Sequence, residues 1–192
     1  WTNTGSVSAH ANTKLVYNYM KNTLQRNSWD NNGGDMIIVV NLGSQENPGV
    51  PEDNAYWNGS FTAFGGNGTG SYLKNVARGL DAVGHEFGHA IVSSSADLEY
   101  QGQSGAINES YADICGAMVD RSNWKIGEDV VKTTGFPTGA MRDMANPHNG
   151  GSSLSDNGWQ PAHTSEMYIG SQDNGGVHIN CGITNHAYYL YA

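Results

Sequence analysis

A chain of 192 residues, with 10% aromatic and only 14% charged residues, is long enough to bury a core and too aromatic for an intrinsically disordered segment. Nine Lys and Arg against eighteen Asp and Glu leave a formal charge of −9 with no basic run, which excludes nucleic acid as a partner. The longest apolar run, Met36 to Val40, falls far short of the roughly 20 residues a membrane helix needs, so no membrane partner is expected.

Residues 7–27 carry Ala11, Leu15, Val16, Tyr19 and Leu24 at helical spacing and are expected to form a helix. No secretory leader is expected within residues 1–20, which lack a basic start and an apolar block. After the turn cluster 30–34 comes an expected strand, Met36–Asn41, and then a polar loop with Pro48 and Pro51. Residues 54–64 read as two paired short strands around Asn58-Gly59. The glycine-rich loop 65–70 lacks the Lys-Ser/Thr ending of a phosphate cradle. Helices are expected over 80–94, 105–121 and 180–191, with an irregular stretch over 132–176. Strands first and helices later predict an α+β fold. Cys115 and Cys181 both fall in apolar helical patterns, so two buried thiols and one bridge joining two helices both stand open. The glycosylation patterns Asn58-Gly59-Ser60 and Asn67-Gly68-Thr69 are too short to carry weight.

The segment His85-Glu86-Phe87-Gly88-His89 matches H-E-x-x-H. On a helix its two histidines lie about 40° apart, one turn apart, so both can reach one ion. Glu86 lies within about 100° of both and can reach a water on that ion. Val83, Phe87, Ala90 and Ile91 form the opposite, apolar stripe. In the next helix Glu109, Asp113 and Asp120 share a line beside a separate apolar stripe. Glu109 follows His89 by nineteen intervening residues, enough to fold back and complete a His₂Glu set with one position left for water. Asp113 is then placed to accept from a ligand histidine, and Asn108, beside Glu109, joins it behind the ligands. His10, His148, His163 and His186 stand alone and read as structural residues.

The runs GHEFGHAIV and GAINESYADI resemble the thermolysin family of zinc endopeptidases, whose own ligand set is His₂Glu. Four further segments resemble that family in order. Asn54-Ala55-Tyr56-Trp57 matches its substrate-binding edge strand, and Tyr100 its transition-state tyrosine. Met141-Arg142 matches its carbonyl-binding arginine, and Asp173 to His178 its Asp/His pair. The resemblance starts inside the family's N-terminal lobe, and the chain ends soon after the His178 helix begins.

The resemblance implies a two-lobed zincin fold: a strand-rich lobe over 1–94, a reduced helical lobe over 95–192, and the active-site helix between them. It implies a secreted, extracellular, monomeric endopeptidase with peptide or protein substrates. One zinc would sit on His85, His89 and Glu109, with Glu86 as general base. Tyr100 and His178, the latter oriented by Asp173, would bind the oxyanion. Arg142 would bind a substrate carbonyl. Leu73, Val76, Val83, Ile126, Val130 and Met141 would line an apolar pocket for the residue after the cut. One structural calcium would sit among Asp81, Asp120, Asn123 and Glu128, Lys125 opposing a second ion. An aminopeptidase of the wider group and a non-catalytic binding module are the alternatives. Nineteen rather than eighteen residues before Glu109, and no amine-binding motif, count against the first. Retention of Glu86 and His178 counts against the second.

Overall fold

The computed structural model describes residues 4–44, 47, 49–68 and 70–192. Pro48 of the polar loop and Thr69 of the second glycosylation pattern lie outside the described residues. Helix α1 spans Thr4–Asn22 and buries Ala9, Thr13, Val16 and Met20, a stripe at helical spacing. It ends five residues before the expected 27. Thr23 and Leu24 both donate to the Tyr19 carbonyl, Gln25 turns left-handed (φ 57°), and Arg26 donates back to the Met20 carbonyl. This closes the last carbonyls and leaves Leu24 exposed rather than in the core.

Strand β1 is Ile38–Val40, shorter than expected, β2 is Ala55–Trp57 and β3 is Thr62–Phe64. The sheet order is β1-β3-β2, with β1 parallel and β2 antiparallel to β3. The expected hairpin is present. Asn58 Oδ1 accepts from the backbone of Ser60 and Phe61, and Gly59 takes φ 96°, a turn position that favours glycine. Strand β2 is therefore an edge, and one side of its backbone is unpaired by the sheet.

Helices α2 (Leu80–Ser93) and α3 (Gly102–Val119) follow. Helix α3 is displaced about one turn toward the N-terminus of its expected range, because its capping residue is Gln101 and Asp120 already lies at its C-cap. The two helices pack antiparallel through glycine. A methyl on Gly84 would stand 2.9 Å from Gly116 Cα, and one on Gly88 would stand 2.6 Å from Ala112 Cα. Only residues without side chains permit that approach. The core beneath the sheet gathers Val16, Met20, Phe64, Val83, Phe87 and Val130 from α1, β3, α2 and the loop beyond α3.

The region expected to be irregular contains the β5 half of a two-stranded ribbon, β4 (Lys125–Ile126) with β5 (Arg142–Asp143), and short 3₁₀ turns at Pro147–Gly150 and Thr164–Glu166. Strands of two residues are too short to show a period in sequence. The last helix, α4, spans Gln172–Tyr191 with non-helical backbone at Asp173 to Gly176. Its regular part starts earlier than the expected 180. Both cysteines are buried free thiols, so the bridge between two helices is not formed; burial pushes Cys115 up to about 12. No helix among the described residues is long and apolar enough to cross a membrane.

Candidate metal centre and cleft

One face of α2 builds the floor of a cleft of about 480 Å³. Ala82, His85, Glu86 and His89 all line it, at spacings of three, four and seven residues, the pattern of one helical face. Val83, Phe87 and Ala90 point the other way and are wholly buried in the core. Val83 therefore does not line the cleft as expected; Ala82 does. The register of the two histidines already contained that assignment. Val130 is likewise a core residue and not a wall. Leu73, Val76, Ile126 and Met141 do line the cleft, as do Asn54, Ala55 and Trp57 from the edge strand. Tyr56 of the same strand lines it too, and Asp53 and Ser93 are further lining residues that sequence reasoning missed.

His85 and His89 are each held from behind. His85 Nδ1 lies 2.8 Å from Asp113 Oδ1, and His89 Nδ1 lies 2.8 Å from Asn108 Oδ1. Those oxygens accept, so each Nδ1 carries a ring proton and each Nε2 is turned to the cleft, where it can give a lone pair to a cation. Without one, and against burial, which lowers it, Glu109 pushes His89 up to about 9. The two Nε2 atoms face each other at 3.0 Å. Glu109, wholly buried, brings Oε1 to 3.3 Å from His89 Nε2 and Oε2 to 3.5 Å from His85 Nε2. Its Oε2 has no hydrogen-bond partner. Two Nε2 atoms and a buried carboxylate converging this closely need a proton or a cation between them. Ligand atoms on one tetrahedral zinc lie roughly 3.3–3.4 Å apart, given bonds of about 2.0–2.1 Å. The residues present therefore fit a zinc ion. Among the described residues these three form the group whose ligand atoms lie within 4.8 Å of one another.

Glu86 stands beside this group, nearly buried, with Oε2 unpartnered. Burial pushes its carboxyl up from the ordinary carboxylate range, against the pull of His85 and His89. Asp113 lies behind the cleft. Burial alone would raise it, but Arg142 and His85 hold it down at about 2. Arg142 donates twice to it, from Nε at 2.7 Å and Nη2 at 2.6 Å. Arg142, expected to meet a substrate carbonyl, thus lines the cleft while spending part of its guanidinium on Asp113.

The opposite rim comes from α4 and the loop before α3. Asp173, Asn174, Gly175 and Gly176 take φ values of 53°, 49°, 83° and 84°, four successive left-handed residues. Such a run is unfavourable for non-glycine residues and survives where the surroundings enforce it. It turns the Asp173 carboxylate back onto His178. Oδ2 accepts from the His178 backbone at 2.8 Å, and Oδ1 lies 2.6 Å from Nδ1. Burial would lower the His178 imidazole, but the bonds to Asp173 and the charge of Glu109 raise it. His178 Nε2 lies 3.2 Å from the Tyr100 hydroxyl and 3.3 Å from Glu109 Oε1. Tyr100 also donates to Glu109 Oε1. Burial and the Glu109 charge push its phenol up, so it remains a donor.

The calcium candidates share a second region but do not close as tightly as the zinc group. Asp81 is nearly buried and accepts from the Gly127 backbone; burial, with Glu128 and Asp120 nearby, raises it to about 7. Asn123 donates to Glu128 Oε1 at 2.6 Å, and Glu128 Oε2 is buried without a partner.

Two family descriptions match the chain: thermolysin metallopeptidase, catalytic domain, over residues 1–93, and thermolysin metallopeptidase, alpha-helical domain, over residues 96–192. The chain is 43% identical to bacillolysin of Brevibacillus brevis over 192 residues, all of this chain and 33% of that protein. It is 44% identical to neutral protease B of Bacillus subtilis over 187 residues, 97% of this chain and 32% of that one. The chain thus spans about a third of the length of these curated relatives. Among solved structures, the precursor of protealysin, a metalloproteinase from Serratia proteamaculans, matches with a TM-score of 0.84 at 32% identity. That match covers 98% of this chain and 59% of that one.

Proposed function

The chain belongs to the thermolysin metallopeptidase family, and on that premise we propose that it is a secreted, zinc-dependent endopeptidase. It cuts extended peptides on the N-terminal side of bulky apolar residues. Residues 1–94 and 95–192 serve as the two lobes of one catalytic unit. The observation that carries this reading is the pair of Nε2 atoms facing each other at 3.0 Å beside the buried Glu109, with Glu86 alongside in the cleft.

His85, His89 and Glu109 would hold the zinc. Bound there, zinc supplies Lewis acidity, polarising the scissile carbonyl and making a water acidic near neutral pH. Glu86, whose carboxyl is raised by burial, takes the proton of the attacking water and delivers it to the leaving amine. Tyr100 and His178 donate to the oxygen where negative charge develops, and Asp173 keeps the His178 ring aimed and protonated. The substrate backbone adds to the open side of β2 near Asn54 and Ala55, which demands little of its sequence. Arg142 offers its remaining N–H groups to a substrate carbonyl. Leu73, Val76, Ala82, Ile126 and Met141 receive the side chain after the cut, which gains about 25 cal/mol per Å² of apolar surface buried.

A structural calcium among Asp81, Asp120, Asn123 and Glu128 belongs to the same proposal. It is supported by the cost of three nearby carboxylates without a cation and by the partnerless Glu128 Oε2.

The test is incubation of the zinc-loaded 192-residue protein with a peptide carrying one internal Leu, in one form blocked at both ends and in another with a free amino terminus. Cleavage before that Leu, lost on chelation and restored by zinc, is expected. Cleavage that requires a free amino terminus would make it an aminopeptidase. Folded, zinc-loaded protein that cuts nothing would favour a binding module.

A further inference from the structure

Helix α4 meets α3 at two polar points that ascend together along both helices. His178 faces Glu109 at 3.3 Å, and one helical turn further along α3, Asn185 faces Asp113. Asn185 follows His178 by seven residues, about two turns, and so lies on the same side of α4. Its side chain is wholly buried. Asn185 Nδ2 donates to Asp113 Oδ2 at 2.8 Å, while its Oδ1 has no partner.

A buried amide with half its polar atoms unsatisfied costs free energy that a Leu of similar size would avoid. What the amide gives in return is one directional bond to a carboxylate that is already fully engaged. Asp113 Oδ1 accepts from His85 and from Arg142 Nη2; Oδ2 accepts from Arg142 Nε and Asn185. Those four donors come from α2, β5 and α4. Asp113 therefore references three elements to one point, and Asn185 is the contribution of α4. Helix α4 is also tied by His178 beside Glu109, by Asn180 to the Tyr168 backbone and by His186 to the Met144 carbonyl, but the Asn185 bond is the one that reaches the carboxylate behind His85.

We propose that Asn185 is a positioning residue. It locks the rotation and depth of α4 against the carboxylate that orients His85, and so fixes His178 opposite Glu109 and Tyr100. The proposal rests on the zinc-peptidase reading for its effect on rate, but the tie itself is a property of the folded chain.

The test is a double-mutant cycle of Asn185→Leu and His178→Ala, read as kcat and KM on a blocked peptide, with amide hydrogen exchange of the zinc-free proteins alongside. In the His178-containing protein, N185L is expected to lower kcat by about ten- to a hundredfold with KM within about twofold, the cost of a small misplacement. In the His178→Ala background it should change kcat by less than about twofold, since coupled residues are non-additive. Exchange should quicken at residues 178–182 and stay unchanged at 85–89. Equal falls in both backgrounds, or an unchanged kcat in N185L, would overturn the proposal. So would faster exchange at 85–89 as well as at 178–182, which marks a general structural role. Should the unsubstituted protein cut nothing, the peptidase reading fails by itself; unchanged exchange at 178–182 in N185L would then still overturn the tie. If N185L does not fold, Asn185→Ala enters the same cycle with the same outcomes.

Discussion

The wall of the cleft built by α2 and α3 differs in kind from the rim built by Tyr100 and α4. In the wall, Glu109 and Asp113 are wholly buried and His85 nearly so, and the two helices meet glycine to backbone. In the rim, the side chain of His178 is 50% exposed, and it is aimed by a strained left-handed turn. A metal site must hold its ligands at fixed separations before any substrate arrives, which requires close packing and hydrogen bonds behind every ligand. Groups that meet charge only in the transition state need access to substrate, and a rim supplies it. On the proposed mechanism, the molecule puts rigidity where the cation would be held and exposure where charge would appear transiently.

The largest expected effect lies on the wall, at the residue that faces the cleft beside the two histidines. Glu86→Gln removes proton transfer alone, so turnover should fall roughly 10²- to 10⁴-fold while zinc content stays at that of the parent protein. Metal analysis beside a rate assay checks both halves, and near-parental turnover would remove Glu86 from the mechanism. On the rim, His178→Ala should cost roughly 10²- to 10³-fold in kcat with little change in zinc affinity. A large loss of zinc in that variant would show that the rim and the wall are one unit.

The wall answers to packing. Gly88→Ala places a methyl 2.6 Å from the Ala112 backbone, so α2 and α3 must part. A loss of about 3 kcal/mol of stability is expected, toward the upper end of ordinary overpacking. Zinc affinity should weaken with it, because His85 and Glu109 ride on different helices. Denaturant unfolding and zinc competition report the two effects, and a variant as stable as its parent would contradict the close approach. Calcium tests how the wall is tied at its far end. A hundredfold excess over its Kd should stabilise the fold by about 2.7 kcal/mol, seen as a higher melting temperature than in a calcium-selective chelator. Identical melting curves would dismiss the Asp81 site. The smallest effect concerns the floor. Ala82→Leu should shift preference after the cut toward smaller apolar residues by about tenfold, whereas Val83→Ala should leave preference alone and cost stability instead. A preference change from the Val83 variant, and none from the Ala82 variant, would reverse the assignment of the helix face.

Much of the wall was legible in sequence because it is local or periodic. His85, Glu86 and His89 lie within five residues of one helix, and Asp113 lies one turn after Glu109. The hairpin 54–64 was legible through Asn58-Gly59. The same periodicity set Val83 on the apolar stripe opposite the histidines, where it lies, and carried one step further it places Ala82 on the cleft face; the pocket role of Val83 came from the resemblance alone. Other features rest on contacts between distant segments. Val130 is apolar and near the expected pocket, but only tertiary packing decides that it faces the core. The β4–β5 ribbon joins residues 125–126 to 142–143 through strands too short to have a period. The exchange of Arg142 with Asp113 and the bond from Asn185 span 29 and 72 residues, distances that no pattern in one chain encodes. The end of α1 at Asn22 depended on the left-handed Gln25, which a helical period does not reveal.

The central claim is that His85, His89 and Glu109 form a preformed zinc site. It is tested most directly by titrating zinc into the metal-free protein and into a Glu109→Gln variant, with stoichiometry and Kd read by calorimetry or chelator competition. One zinc per chain is expected in the parent protein. The variant, having lost the buried charge that faces both Nε2 atoms, should bind at least about tenfold more weakly. Equal Kd values in the two proteins, or no zinc bound to the folded parent, would contradict the account.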